Sequence, residues 1–75
     1  MQIDQELDTR GLHCPLPILK AKRALASMNS GQTLRVISTD AGSPRDFQAF
    51  AKQTGNELMK QETMGADFIH VLRRR

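Results

Sequence analysis

Three side chains in this sequence are suited to thiol or metal chemistry: Cys14, His13 and His70. A single cysteine cannot form an intramolecular disulfide. One thiol and two imidazoles are also too few ligands for a four-ligand structural zinc site, so we expect no bound metal. Three roles stay open for Cys14: an inert residue of the core, an incidental surface thiol, or a reactive thiolate.

The setting of Cys14 favours reactivity, because it lies where a predicted strand gives way to a predicted helix. Unpaired N–H groups and the helix dipole at such an end stabilise a thiolate and lower its pKa. Pro15 and Pro17 stiffen the first helical turn, and Pro15 also keeps Cys14 out of helical dihedrals. Basic residues follow within two turns, at Lys20, Lys22 and Arg23. We therefore predict a solvent-accessible thiol that is more acidic than a free cysteine.

A structural interpretation of the same residues is equally consistent with their physics. Cysteine often behaves as a small apolar residue, and Cys-Pro can simply begin a helix. His13 adjoins Cys14, but an exposed loop histidine is common. His70 lies in phase with Phe68 and Leu72 in the last predicted strand, which favours a half-buried position over a ligand.

Hydrophobic periodicity and Gly/Pro punctuation predict six elements in the order strand, helix, strand, helix, strand, strand. Their predicted ranges are 3–8, 16–28, 33–39, 43–54, 56–63 and 67–72. Helical crossovers join parallel strands and are right-handed, so both helices must lie on one face of the sheet. The predicted fold is an α/β two-layer sandwich, βαβαββ, with two helices on one face of a mixed four-stranded sheet.

Each predicted helix has one apolar stripe. In the first helix the stripe comprises Ile18, Ala21, Leu25 and Met28; in the second it comprises Phe47, Phe50, Ala51 and Thr54. Ser43 is predicted to cap the second helix, with Pro44 at its first position and Asp46 as a short-armed capping-box partner. Gly55 is predicted to end it.

Size and charge restrict the classes of function. The chain has 75 residues and a formal net charge of +3, which fits one domain over residues 1–75 with a thin core and no deep cofactor pocket. It has no apolar run long enough to cross a bilayer, and its N-terminus lacks the features of a signal peptide. We expect a cytoplasmic monomer without a cofactor.

The segment from Leu7 to Pro17, and above all Gly11-Leu12-His13-Cys14-Pro15-Leu16-Pro17, resembles the signature of the TusA/SirA family of sulfur carriers. That family's hallmark is Cys-Pro-x-Pro at the start of the first helix. The similarity continues through Val36-Ile37, Thr39-Asp40, Asp46-Phe47 and the segment from Gly55 to Leu58, and so spans nearly the whole chain.

The resemblance implies the same βαβαββ sandwich and a carrier that acts stoichiometrically rather than as a multiple-turnover enzyme. It implies that Cys14 receives sulfane sulfur as a persulfide from a cysteine desulfurase or a rhodanese-like donor and relays it to an acceptor protein. Pro15 and Pro17 are then its structural supports. Leu16 stands where the carrier for tRNA thiolation typically has glutamate, so tRNA thiolation, cofactor maturation and sulfur metabolism all stay open.

Residues near Cys14 are candidates for docking these partners. Leu16 precedes the helix body and Leu19 lies about 100° from Ile18, so neither should be central to the core. The candidate docking set is Leu16, Leu19, Lys20, Arg23 and Asp40, the last because two parallel strand–helix units bring their loops to one sheet edge.

Two other classes of function remain open. One is a regulatory or RNA-interacting basic module in which Cys14 is incidental, and the other is a thiol redox sensor. The tail from Arg73 to Arg75 could attract phosphate, but no aromatic residues are interleaved for base stacking, so a solvated tail is favoured and direct nucleic-acid binding is not expected.

Overall fold

The computed structural model describes residues 2–75 and contains six regular elements in the predicted order. They are β1 Gln5–Thr9, α1 Leu16–Ala26, β2 Thr33–Ser38, α2 Ser43–Thr54, β3 Glu57–Met64 and β4 Asp67–Arg73. The four strands form one sheet in the order β1-β2-β4-β3. The two-layer α/β sandwich with a mixed four-stranded sheet is confirmed.

Strand directions follow from the connections. The helical crossover through α1 joins β1 and β2 as parallel neighbours, with Leu7 beside Val36 and Thr9 beside Ser38. The final strand β4 enters between β2 and β3 and runs antiparallel to both. β2 and β3 therefore run in the same direction without being neighbours, which is the outcome that a second helical crossover requires.

The predicted ranges agree with the observed elements to within two residues at every end, and the largest differences are at the start of β1 and the end of α1. β1 begins at Gln5 and not at residue 3; just before it, the Asp4 carboxylate accepts a hydrogen bond of 2.8 Å from the Thr33 N–H. α1 ends at Ala26 and not at Met28, because the next two N–H groups bond to carbonyls three residues back, Ser27 to Ala24 at 3.2 Å and Met28 to Leu25 at 3.1 Å. Met28 is nevertheless buried, as its place in the apolar stripe predicts.

The predicted capping role of Ser43 is wrong. α2 begins at Ser43 itself, Gly42 occupies the N-cap position, and no side chain makes a capping hydrogen bond there. The Ser43 side chain is buried and its hydroxyl lies 3.1 Å from Nε2 of His70. Gly55 ends the helix as predicted, with the positive φ of 80° that glycine adopts readily.

The main core lies between the two helices and the sheet. Its central side chain is Phe47, which is fully buried, meets Phe50 edge-on at 6.2 Å and stacks on His70 at 4.5 Å between ring centroids. The other buried members of this cluster are Ala21, Ala24, Leu25, Met28, Leu34, Val36, Phe50, Ala51 and Leu72. Ile18 and Thr54, at the ends of the predicted stripes, are only partly buried.

On the opposite face of the sheet, where residues 2–75 form no helix, there is a smaller apolar cluster of Ile37, Ile69 and Val71. These side chains are largely buried because long charged side chains on the same face surround them. Arg35 pairs with Glu6 at 2.6 Å and Arg73 pairs with Glu57 at 2.7 Å, each between neighbouring strands. This face is therefore covered by its own ion pairs.

His70 is buried to 1% exposure, more completely than its predicted half-buried position. The Gln61 amide nitrogen donates to the Pro44 carbonyl at 2.9 Å and to Nδ1 of His70 at 3.1 Å. Since Nδ1 accepts this bond, the proton of the neutral ring belongs on Nε2, from which it is donated to the Ser43 hydroxyl. Burial lowers the pKa of His70 to about 4, so the folded protein holds this imidazole neutral.

His70 should make the fold sensitive to mild acid. Between its unfolded pKa of 6.5 and its folded pKa of about 4, the unfolded chain binds more protons than the folded one. The free energy of unfolding should therefore fall by up to about 3 kcal/mol as the pH falls through this window. Urea unfolding of the wild type and of His70→Gln, from pH 7.5 to pH 4, tests this. The stability difference between them should be largest above pH 6.5 and should shrink toward pH 4; a difference that is constant with pH would contradict it.

Candidate functional site

Two loops meet at the edge of the sheet where β1 and β2 end. Because these strands are parallel neighbours, the loop that follows each one emerges at the same edge. The Thr9 hydroxyl donates to the Ile37 carbonyl at 2.6 Å, and the Gly11 N–H donates to the Thr39 hydroxyl at 2.9 Å. The loop that carries Cys14 is thus fastened to the loop that carries Asp40.

Cys14 is exposed at this edge, as the sequence predicts. It precedes a cis peptide bond to Pro15, which occupies the N-cap position, and α1 begins at Leu16. The Leu16 N–H donates to the His13 carbonyl at 2.9 Å, which closes a tight turn around Cys14. The thiol therefore lies on a turn ahead of the helix and outside its first turn.

The two prolines of the motif differ in their surroundings. Pro15 is exposed beside the thiol, whereas Pro17 is buried in the first turn of α1. A ring at that position lacks only an N–H that would be unpaired in any case. Pro17 therefore anchors the start of the helix to the body of the protein, and Pro15 shapes the turn that holds Cys14 outward.

The predicted low pKa of Cys14 is wrong in direction. The pKa of the thiol is raised, chiefly by hydrogen bonding to the Asp46 carboxylate, then by partial desolvation and by the negative charges of Asp46 and Asp40. The Cys14 sulfur consequently lies in a locally negative field.

Asp40 borders the Cys14 loop, as its predicted position on the neighbouring loop requires. Its Oδ2 accepts a hydrogen bond of 3.1 Å from the Gly42 N–H, and its Oδ1 lies 3.7 Å from Nδ1 of His13. The His13 side chain is 89% exposed. The carboxylate is therefore fixed by its own loop, and His13 extends past it into solvent.

The remaining candidates for docking lie on the exposed face of α1. Leu16 is 45% exposed and Leu19 is 52% exposed, so neither belongs to the core. Together with Lys20 and Arg23 they line one shallow groove on the surface of α1. The structure thus brings four of the five docking candidates together in one groove, whereas Asp40 lies on the loop after β2.

Arg10 contributes little positive charge to the thiol. Its guanidinium pairs with Asp8 at 2.9 Å and lies 3.7 Å from Asp67 on β4. The pKa of Asp8 is lowered to about 2, chiefly by the hydrogen bond from the Arg10 side chain. Arg10 therefore fastens the start of the Cys14 loop to the strands and is already neutralised there.

The C-terminal arginines do not behave as the solvated tail that the sequence predicts. Arg74 exchanges backbone hydrogen bonds of 2.8 Å with Gln32 and Gly31, and its Nε donates to the Leu25 carbonyl at 2.8 Å. This contact lies near the C-terminal end of α1, and the 11-residue helix separates it from Cys14 by about 16 Å. Arg74 therefore packs at the end of the core near the C-terminus of α1 and takes no part in the candidate site.

Sequence reasoning missed the effect of Asp46 on Cys14. The sequence pattern predicts a helix-capping role for Asp46, yet it makes no capping hydrogen bond. Only the parallel arrangement of β1 and β2, which brings the start of α2 beside the Cys14 turn, pointed to this contact. Among residues 2–75, no group of three or more histidine, cysteine or acidic side chains is arranged to hold a metal ion, and no helix is long and apolar enough to cross a membrane.

Known proteins that resemble this chain indicate the family to which it belongs. The family model described as sulfurtransferase TusA matches residues 5–74. A sulfur carrier protein TusA from Allochromatium vinosum is 59% identical over 71 residues, which are 95% of this chain and 93% of that protein. A putative sulfur carrier protein from Neisseria meningitidis is 48% identical over 68 residues, which are 91% of this chain and 92% of that protein.

A solved structure supports the fold independently. The crystal structure of a SirA-like protein from Desulfitobacterium hafniense superposes with a TM-score of 0.81 at 24% identity, and the match covers 92% of this chain and 95% of that one. At this identity the likeness concerns the fold alone. The family model that matches nearly the whole chain and the 59% identity to a curated relative show that the chain belongs to the TusA sulfurtransferase family.

Proposed function

We propose that Cys14 is the residue on which this member of a sulfur-carrier family holds sulfur, as a persulfide. The observation that carries the proposal is an exposed cysteine, held outward by the Pro15 turn, at the Cys-Pro-x-Pro segment of a chain that belongs to this family. The thiol attacks the outer sulfur of a donor persulfide. The donor's S–S bond breaks, a bond forms between that sulfur and Sγ, and the Cys14 proton passes to the donor's departing sulfur.

The partners are other proteins. A cysteine desulfurase or rhodanese-like protein supplies the sulfur and a second protein accepts it, for tRNA thiolation, cofactor maturation or sulfur metabolism, in the cytoplasm. Residues 1–75 act as one carrier domain and a monomer. Exposure of Cys14 supports relay between partners, because an exposed sulfur can enter the active sites of both.

The two rival functions fit the site less well. A redox-sensing thiol is typically accessible and of low pKa, whereas carboxylates raise the pKa of Cys14. A nucleic-acid-binding module built on the basic tail would need free arginines, yet Arg73 pairs with Glu57 and the Arg74 guanidinium donates to the Leu25 and Arg75 carbonyls. Neither rival accounts for the Cys-Pro-x-Pro turn.

Cys14→Ser should abolish loading with sulfur and leave the fold intact, because the thiol is exposed and contributes nothing to the core. Incubation with a cysteine desulfurase and cysteine, followed by intact-protein mass spectrometry, should add the mass of one sulfur atom to the wild type only. Circular dichroism and thermal unfolding should show the same fold for both. Normal loading of the variant would rule out Cys14 as the carrier residue, and an unfolded variant would favour a structural role.

We also propose that Leu16, Leu19, Lys20 and Arg23 form a docking patch for the sulfur donor on one side of Cys14, with Asp40 on the other. Leu16 and Leu19 are half-exposed apolar side chains beside the thiol, and two basic side chains flank them. An apolar anchor surrounded by charge is a common arrangement at protein interfaces. Such a patch suits a donor surface with an apolar socket and acidic residues around it.

Leu19→Glu should slow sulfur acceptance from a protein donor by about five- to tenfold, since one anchor residue typically contributes above 1 kcal/mol to binding. Stability should change by no more than about 0.5 kcal/mol, because Leu19 is 52% exposed. Ile3→Glu is the matched control: Ile3 is also exposed, but lies toward the opposite edge of the sheet. Loading from a small persulfide should be the same in all three proteins. Lost stability with normal transfer would instead place Leu19 in the core.

A further inference from the structure

The Asp46 carboxylate takes no part in capping the helix that carries it. It lies in the first turn of α2 and is half-buried, yet it makes no capping hydrogen bond, and its backbone N–H already donates to the Gly42 carbonyl at 3.0 Å. Its charge complements the dipole of α2, and the same first turn lies at the sheet edge where the Cys14 turn is fastened.

Asp40 and Asp46 stand close together at this edge. A β-carbon added to Gly42 would lie 3.2 Å from Oδ2 of Asp40 and 3.8 Å from Oδ2 of Asp46. Both carboxylates therefore flank one backbone position in the loop that the Gly11–Thr39 hydrogen bond holds against the Cys14 loop. The Gly42 N–H holds the Asp40 carboxylate in place at 3.1 Å, and both carboxylates lie within seven residues after Thr39, where the Cys14 loop is fastened.

We propose that Asp46 is a positioning residue of the carrier, whose carboxylate opposes negative charge on the Cys14 sulfur and so biases the protein toward releasing its sulfur. This inference rests on the proposed function, in which Cys14 holds the persulfide. Asp40, which lies earlier on the same loop, also opposes negative charge on the Cys14 sulfur.

The other charged groups around Cys14 do not cancel this effect. On its own loop, Arg10 is paired with Asp8 and Asp67, and His13 extends into solvent beside Asp40. On the helices, Lys20, Arg23 and Arg45 are exposed, and none of them is among the causes of the pKa shift of Cys14. The cause of the raised pKa of Cys14 agrees with this, because Asp46 contributes most and Asp40 contributes in the same direction.

The position of the negative charge on the loaded carrier affects how readily sulfur is transferred. When a donor persulfide anion passes its outer sulfur to the neutral Cys14 thiol, the proton goes to the donor's departing sulfur and the anionic charge moves to the loaded carrier. That charge then lies beside Asp46, so like-charge repulsion raises the energy of the loaded state relative to the empty thiol. An acceptor with a less negative site receives the sulfur more readily for that reason.

Asp46→Asn tests this, because the amide keeps the shape of the side chain and removes its charge. The pH midpoint for alkylation of Cys14 should fall below that of the wild type. The ratio of loaded to empty carrier, at equilibrium with glutathione persulfide at pH 7, should rise roughly twofold to fivefold for the loss of one nearby charge. Intact-protein mass spectrometry measures that ratio. A role confined to folding would move neither quantity.

Glu57→Gln is the matched control, since it removes an equal charge at the opposite end of the sheet and should leave both quantities unchanged. Asp46→Glu, which restores the charge, should return the midpoint toward that of the wild type. If the Asp46→Asn variant does not fold, Asp46→Ser serves as a second uncharged variant. If the wild type loads with sulfur but both uncharged variants have the same alkylation midpoint and the same ratio of loaded to empty carrier as the wild type, the inference is overturned. If the wild type never loads, the proposed function fails and the inference with it.

Discussion

The parallel pairing of β1 with β2 is the constraint on which both the core and the candidate site depend. Its register places Leu7 beside Val36 on the helix-facing side and Thr9 beside Ser38 at the end of the ladder. A slip by one residue would turn each of these side chains to the opposite face. It would also part Gly11 from Thr39, so the same pairing that fills the core brings Cys14 beside Asp40 and Asp46.

The acidity of Cys14 is decided by the competition between a helix end and two carboxylates. A helix N-terminus is equivalent to roughly half a positive charge, and its effect fades within one turn. Cys14 lies ahead of the N-cap residue Pro15, so it receives only part of that field. Asp46 and Asp40 carry whole negative charges and are held nearby by the neighbouring loop. The pKa of Cys14 is raised, in the direction that the carboxylates favour, so a position just before a helix is not enough to make the thiol acidic.

Local patterns in the sequence were sufficient for the order of the elements and for most of the core. Ala21, Leu25, Phe47 and Phe50 are buried as their helical spacing predicts, and Gly55 ends α2. These features depend on near neighbours along the chain. The insertion of β4 between β2 and β3 could not be predicted in this way, because strand order is set by pairing between distant segments.

The features that sequence reasoning missed all depend on contacts between distant segments. Ser43 has the residue type of a helix cap, but its hydroxyl faces His70 across 27 positions of sequence. Arg74 looks like part of a basic tail, but it donates to the Leu25 carbonyl across 49 positions. Asp46 belongs with these two, since its effect on Cys14 arises only after both loops reach one edge of the sheet.

Exposure of Cys14 determines what its partners must supply. An exposed sulfur gains little from a low-dielectric environment, which strengthens electrostatic interactions only where water is excluded. The protein buries its apolar side chains between helices and sheet and leaves Leu16 and Leu19 uncovered beside the thiol. Contact at these two leucines would exclude water at the same moment that it brings a donor to the sulfur. The side chains of α1 that stabilise the fold are thus different from those of the proposed docking patch, so that patch could change without loss of the core.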